Sequence, residues 1–196
     1  MGMEMTDGRV QRGERSRAAI VSALFELVGD GVLTPTAQQV AEVAGVGIRS
    51  VFRHFADMDS LYAEMDAGLR SHAEPILGEP GPGGSLRDRA EALVQRRVRL
   101  FERVAPYKRA GDLQHWRSEF LRGRHAALVR SLRADLLRWL PELRDEPGPL
   151  VEAIDLALSF EAWDRLRTDQ RLGRERAREA LLRTVLALAA ELESPD

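Results

Sequence analysis

Arg49, Arg53 and His54 crowd into the stretch AGVGIRSVFRHF, residues 44–55. Arg49 and Arg53 stand four residues apart, so on a helix both side chains share one face. A guanidinium can donate two hydrogen bonds to a pair of acceptors, and guanine O6 and N7 in the DNA major groove form such a pair. A solvated helix face is the plain alternative. Other chemistry is thinner. His115 and Glu119 have the i, i+4 spacing that could hold a metal with help from His125 or His72, a pairing that arises often by chance. There is no H-E-x-x-H, no P-loop, no dinucleotide glycine motif and no G-x-S-x-G. The absence of cysteine removes thiolate nucleophiles, disulfides and cysteine-bound zinc. The expectation is therefore no enzyme, no cofactor and no metal.

With 44% hydrophobic and 31% charged residues in 196, the composition is that of an ordinary globular protein. A net charge of -2 means that any nucleic-acid surface must come from the placement of cations, not from bulk charge. Lys108 is the single lysine among 29 lysines and arginines, a bias that codon usage explains, so arginine richness alone carries no function. No apolar run is long enough for a membrane span, and MGMEMTDGRVQRGER has no apolar secretory core. A cytoplasmic protein without a membrane partner is expected.

Helical periodicity runs through almost every segment, and strict alternation persists nowhere, which predicts an all-α fold. A helix over 15–28 carries Ile20, Ala23, Leu24, Leu27 and Val28 on one face and stops at Gly29 and Gly31. Thr36 with Gln39 forms a T-x-x-Q capping box for a helix to about 44, with Thr34 before Pro35 as a competing cap. Gly45 then sits where a tight bend needs positive φ. A short helix over 47–54 follows, packing Val51 and Phe55. Asp57 is placed to cap a longer helix that ends near 75–78. GEPGPGGS, 78–85, is the clear linker. Beyond it the spacing predicts helices from 86 to just before Pro106, over 114–140, over 149–168 and over 174–192. The last two are apolar over wide arcs, with Leu156 beside Ile154 and with Leu182 and Leu186 beside Leu181 and Val185. Burial on two sides, one of them against a partner subunit, is the economical reading.

This order of elements resembles the TetR family of bacterial transcriptional regulators. Thr36, Val40, Ala41, Ala44, Gly45, Val46, Ser50, Val51 and Phe55 match its pattern, and the likeness is dense over 18–61. Gly47 stands where the family usually has Ser, Phe52 replaces its Tyr, Met58 takes a position often held by Lys, and Arg49 falls where a small residue is common.

The resemblance implies an N-terminal three-helix DNA-binding unit with a helix-turn-helix, followed by a larger helical half that binds an effector and dimerises. The expected division is an arm at 1–13, the DNA-binding domain at 14–60 and the effector and dimerisation domain at 61–196. The second helix of the motif would enter the major groove. There Arg49 is the first choice for base reading, Arg53 reaches a base or a backbone oxygen, and Ile48 touches a thymine methyl. Thr36, Ser50 and His54 position phosphates, supplemented by Arg17 with Arg12 and Arg15, while Phe52 belongs to the DNA-facing set without the tyrosine hydroxyl that commonly meets a phosphate. His54 packing beside Phe55 is an equal alternative. Two readers about 34–36 Å apart on a homodimer imply a palindromic operator in double-stranded DNA. A small-molecule effector would bind among Arg97, Phe101, Trp116, Phe120, Phe160 and Trp163, moving the helix that opens at Asp57 and releasing a repressor. For Arg97, a snorkelling edge position, a pairing with Glu161, or an acidic ligand are the alternatives. The competing class is a non-enzymatic helical adaptor.

Overall fold

The computed structural model describes residues 4–79, 81, 83–116, 118–146 and 148–193, with 4–9, 72 and 193 in backbone only. Among the described residues there is no β-strand, and no helix is long and apolar enough to cross a membrane. The helices are α1 Glu4–Gly29, α2 Ala37–Val43, α3 Ile48–His54, α4 Met58–Leu77, α5 Leu86–Gln114, α6 Glu119–Trp139, α7 Gly148–Ala157, α8 Phe160–Asp164 and α9 Arg174–Ala189. The segment expected as an arm is thus helical from Glu4 onward.

The chain forms two compact units. The first comprises Met1–His72 with Pro106–Gly123, and the second Ala73–Ala105 with Arg124–Asp196. In the first unit, α1 contributes Ile20, Leu24 and Val28, α2 Val40 and Ala41, α3 Val51, and α4 Leu61, Tyr62 and Met65 to one buried cluster. Ala23, Phe55, Ala110 and Leu121 complete it. In the second unit the buried side chains include Leu93, Val94, Val98 and Phe101 of α5, Leu132 and Leu136 of α6, Ile154 of α7, and Leu181 and Val185 of α9. There α7 packs on α9.

Several boundaries differ from the sequence expectation, each for a local reason. Pro106 does not end α5, whereas α4 ends at Leu77 as expected, with Pro75 inside its last turn. Proline removes one i→i−4 bond without forbidding continuation. Beyond Pro106 the helix recovers packing by burying Ala110 and setting Tyr107 edge-on to Phe25, with ring centroids 5.2 Å apart. The start of α6 is Glu119, not a residue near 114, because the Ser118 hydroxyl accepts from Leu121 N at 3.2 Å and so caps that helix. The expected helix over 149–168 is broken in two. Ser159, extended at φ −78 and ψ 160, accepts from Ala162 N at 3.1 Å and opens α8 afresh. A π turn, Arg165–Asp169, follows α8.

Candidate nucleic-acid interface

Local chemistry sets each joint of the α2–α3 motif. Thr36 adopts extended backbone, and its Oγ1 accepts from Gln39 N at 3.2 Å while its own N–H donates to Gln39 Oε1 at 2.9 Å. Both halves of the capping box are formed, and Thr34 is passed over. At the other end of α2, Gly45 has φ +65. Its N–H donates to Glu42 O at 3.2 Å and that of Val46 to Ala41 O at 3.0 Å, the paired bonds of a Schellman motif. An L-residue with a β-carbon would be strained at this φ. The end of α1 is made in the same manner at Gly31, φ +94, with Gly31 N–H bonded to Val28 O and Val32 N–H to Leu27 O.

Gly47, at the start of α3, has no side chain to cap it, and Ser50 N–H bonds to Gly47 O at 2.7 Å. Val51 and Phe55 are buried against α1, α2 and α4. The opposite face carries Ile48, Phe52, Arg49 and Arg53, all exposed, next to exposed Val43 of α2. Arg53 Nη2 donates to Ser50 Oγ at 3.4 Å. Among the described residues neither Arg49 nor Arg53 has a carboxylate partner, whereas Arg87, Arg89, Arg99, Arg133 and Arg178 are each ion-paired. An exposed, unpaired guanidinium beside apolar side chains is free to meet an external acceptor.

The remaining sequence-selected residues are placed differently. Arg17 of α1 pairs with Glu64 of α4 at 2.5 Å, and its guanidinium carbon lies 5.2 Å from the centre of the Phe55 ring. It clamps α1 to the end of α3. The ring of His54 has Nε2 buried without a hydrogen-bond partner among the described residues, and a β-carbon built on Gly13 of α1 would stand 4.0 Å from its Cε1. In this placement that nitrogen faces protein. After α3, Asp57 Oδ1 accepts from Ser60 N at 2.8 Å and from Ser60 Oγ at 2.7 Å, capping α4 as expected. Those bonds, the side-chain one first, hold its carboxyl below the ordinary aspartate value.

The six residues selected for an effector divide between the two units. Arg97, Phe101, Phe160 and Trp163 are buried in the second unit, where the Phe101 and Phe160 rings meet edge to face at 5.7 Å. Trp116 and Phe120 belong to the first unit and are 69% and 46% exposed. Arg97 is 1% exposed, which excludes the snorkelling edge position. The carboxylate it meets is Asp135, 3.3 Å away, not the exposed Glu161. His115 lies beyond the end of α5 while Glu119 opens α6, so the i, i+4 pair does not share a helix. The His115 Nδ1 instead meets Asp112 O at 2.8 Å, and the side chain of His72 lies outside the described residues. Among the described residues no group of three or more metal-ligating side chains comes together.

No family model and no curated protein matches the sequence. Solved structures do match in three dimensions. A transcriptional regulator from Rhodococcus sp. Rha1 superposes with a TM-score of 0.69 at 20% identity, over 94% of this chain and 99% of that one. A protein described as a TetR-family transcriptional regulator from Mesorhizobium loti MAFF303099 gives 0.59 at 16% identity, over 93% and 96%. A TetR transcriptional regulator from Rhodococcus sp. RHA1 gives 0.51 at 17% identity, over 93% and 98%. The chain has the TetR-family fold.

Within that TetR fold, sequence reasoning missed a second polar group. Glu102 of α5 accepts from Trp163 Nε1 at 3.2 Å and from Arg167 Nε at 3.0 Å, tying α8 and the π turn to α5. It also missed Arg96 and Asp135, both buried and ion-paired. Asp135 does leave a trace, since a carboxylate between Leu132 and Leu136 sits on the apolar face of an amphipathic helix.

Proposed function

We propose that the chain is a dimeric, ligand-responsive DNA-binding regulator of transcription, acting as a repressor that a small molecule releases from a palindromic operator. The outward face of α3 supports this reading: Ile48, Arg49, Phe52 and Arg53 are exposed on a helix whose other face is locked into the core, and among the described residues the two arginines have no carboxylate partner. Arg49 reads a base, Arg53 a base or phosphate, and Ile48 and Phe52 lend apolar contact. Thr36 and Ser50 position the backbone. Residues 14–60 form the reader, and 61–196 hold the effector and the partner subunit.

One reader of seven residues, α3, binds weakly alone, so a second copy must be presented at a groove repeat of about 34–36 Å. The exposure of Leu156 on α7 at 69%, with half-buried Leu182 and Leu186 on α9, supports a dimer seam there. The buried polar and aromatic interior of the second unit supports an effector site around Arg97, Phe101, Phe160 and Trp163.

Selection of bound fragments from random duplex DNA tests the reading. A recovered inverted repeat, bound with steep salt dependence, is the expected result. Recovery of no sequence preference by a chain that is folded and dimeric would refute it.

A further inference from the structure

Arg97 occupies an unusual position in the second unit. It lies on α5 one turn from Leu93 and Val94 and one turn from Phe101, all buried. Its Nη2 donates to Leu132 O at 2.6 Å and stands 3.3 Å from Asp135 Oδ2, but Nε and Nη1 are buried with no hydrogen-bond partner among the described residues. Asp135 is shared further, since Arg96 Nη1 bonds to Oδ2 and Arg138 Nη2 to Oδ1 at 2.6 Å. Three guanidinium groups therefore converge on one carboxylate. Arg138 is half exposed and screened by solvent, and Arg96 is further satisfied by two backbone carbonyls. Arg97 has no solvent and only one such carbonyl, that of Leu132. Asp155, the other carboxylate acting on it, already lies 3.5 Å from Arg133, and burial raises its pKa. Desolvation pulls the Arg97 guanidinium down to about 10, with Asp135 opposing and Arg96 reinforcing the shift. Buried donors without acceptors are rare because each bears the full loss of hydration. What Nε and Nη1 lack, among the described residues, is an acceptor oxygen, and a negatively charged one would serve a guanidinium best.

We propose that Arg97 receives the ionised acid group of an otherwise apolar small molecule, so that the effector of this protein is an amphipathic organic acid. The inference rests on the regulator reading above and names the chemical class of its ligand. The acid oxygen accepts from Nη1, the nitrogen with two unused hydrogens, and the apolar body replaces contacts around Phe101 and Phe160. Opening this packed interior is part of the binding event.

Asp135 gives the site a route to α4. Arg96, which shares its Oδ2, donates from Nε to Ile76 O at 2.7 Å and from Nη2 to Leu77 O, and Arg138 donates to Leu77 O at 3.0 Å. These are the last carbonyls of α4. An anion at Arg97 takes over the charge that Arg97 now draws from Asp135, leaving that carboxylate to Arg96 and Arg138 and tightening the final turn of α4.

Titration calorimetry on the full chain tests the proposal with sodium octanoate and sodium 4-phenylbutyrate, against octanamide and 4-phenylbutyramide as neutral matches. The acids should bind at least tenfold more tightly than the amides, and hydrogen exchange should slow across residues 73–77 when they do. Arg97→Met should lose at least tenfold for the acids and nothing for the amides. Its melting temperature should not fall, because an incompletely satisfied buried charge is replaced by an apolar side chain while Asp135 keeps Arg96 and Arg138. Arg97→Lys, which keeps the cation, should retain part of the acid binding, and decides the matter if the methionine variant fails to fold. Acids that do not bind, amides that bind equally, or acid binding unchanged in the Arg97 variants would each overturn the proposal. Operator selection on the ligand-free chain separates the two readings: a recovered inverted repeat with no acid binding sinks this inference alone, whereas acid binding without sequence preference sinks the regulator.

Discussion

Gly68→Ala sets two known effects against each other on α4. Alanine in a helix interior is favoured over glycine by about 0.5–1 kcal/mol, so propensity alone makes this a stabilising change. The structure reverses the sign. A β-carbon at Gly68 would lie 2.8 Å from Phe25 Cζ and 3.0 Å from Cε2 of α1. Carbon atoms are content at about 3.5–4.0 Å, so an overlap of roughly 0.7 Å must be relieved. The Phe25 ring gives way poorly, because Tyr107 holds it edge-on at 5.2 Å and 61°. Overpacking of this kind costs about 1–3 kcal/mol, and subtraction of the propensity gain leaves a net loss of about 1 kcal/mol. Urea unfolding followed by far-ultraviolet circular dichroism should show a midpoint lower by about 0.5 M, given a slope of about 2 kcal/mol per molar. Phe25→Leu removes the ring, and in that background Gly68→Ala should stabilise. A gain in the wild-type background, or the same sign in both, would refute the reasoning.

Four further outcomes are expected. Phe55 has a ring that is 3% exposed and lies under Arg17. Its removal in Phe55→Ala should cost the first unit about 3–5 kcal/mol in thermal unfolding, and a loss below about 1 kcal/mol would mean that the cavity collapses freely. Gly47→Ser places a β-carbon with no atom of the described residues within 4 Å, its chain neighbours aside, at an ordinary extended φ, −72. It should stabilise α3 by a few tenths of a kcal/mol and tighten operator binding in fluorescence anisotropy, because the hydroxyl caps the helix and can donate to phosphate; weaker binding would deny it that role. Arg49→Ala should reduce discrimination at one base pair by about 1–3 kcal/mol with dimerisation intact, and an unaltered binding preference removes Arg49 from base reading. Asp57 and Asp88 both titrate below the ordinary 3.8 because Ser60 and Ser85 donate to them. Depressed folded values mean that their contribution is full above the unfolded value and is lost as pH falls through the folded one, so stability should drop in acid below about pH 4. Asp57→Asn, which caps without titrating, should flatten part of that limb in acid melts, and an unchanged limb would exclude Asp57.

The reader motif was legible because its signals are local. A capping box at Thr36, a glycine at positive φ at Gly45 and the pair Val51 and Phe55 are each dictated by a few neighbouring residues, and the structure forms all of them. Helix ends set by serine hydroxyls at 118 and 159 were missed, because a lone serine in an apolar-periodic run reads equally well as an exposed helical position. Pro106 misled in the opposite direction, since a proline inside a helix is tolerated when packing on either side outweighs one missing bond.

By itself, then, the sequence determined the all-helical class, the order of elements, the helix-turn-helix and the outward arginines, all of which follow from periodicity and from contacts within a turn or two. Tertiary structure alone decided the company each polar side chain keeps. Arg97 lies 35 residues from the carbonyl of Leu132 that it reaches, and Arg96 lies 39 from Asp135. Periodicity can mark a charge on an apolar face, but which distant carboxylate meets it, and which donors are left without one, depends on how separate helices pack.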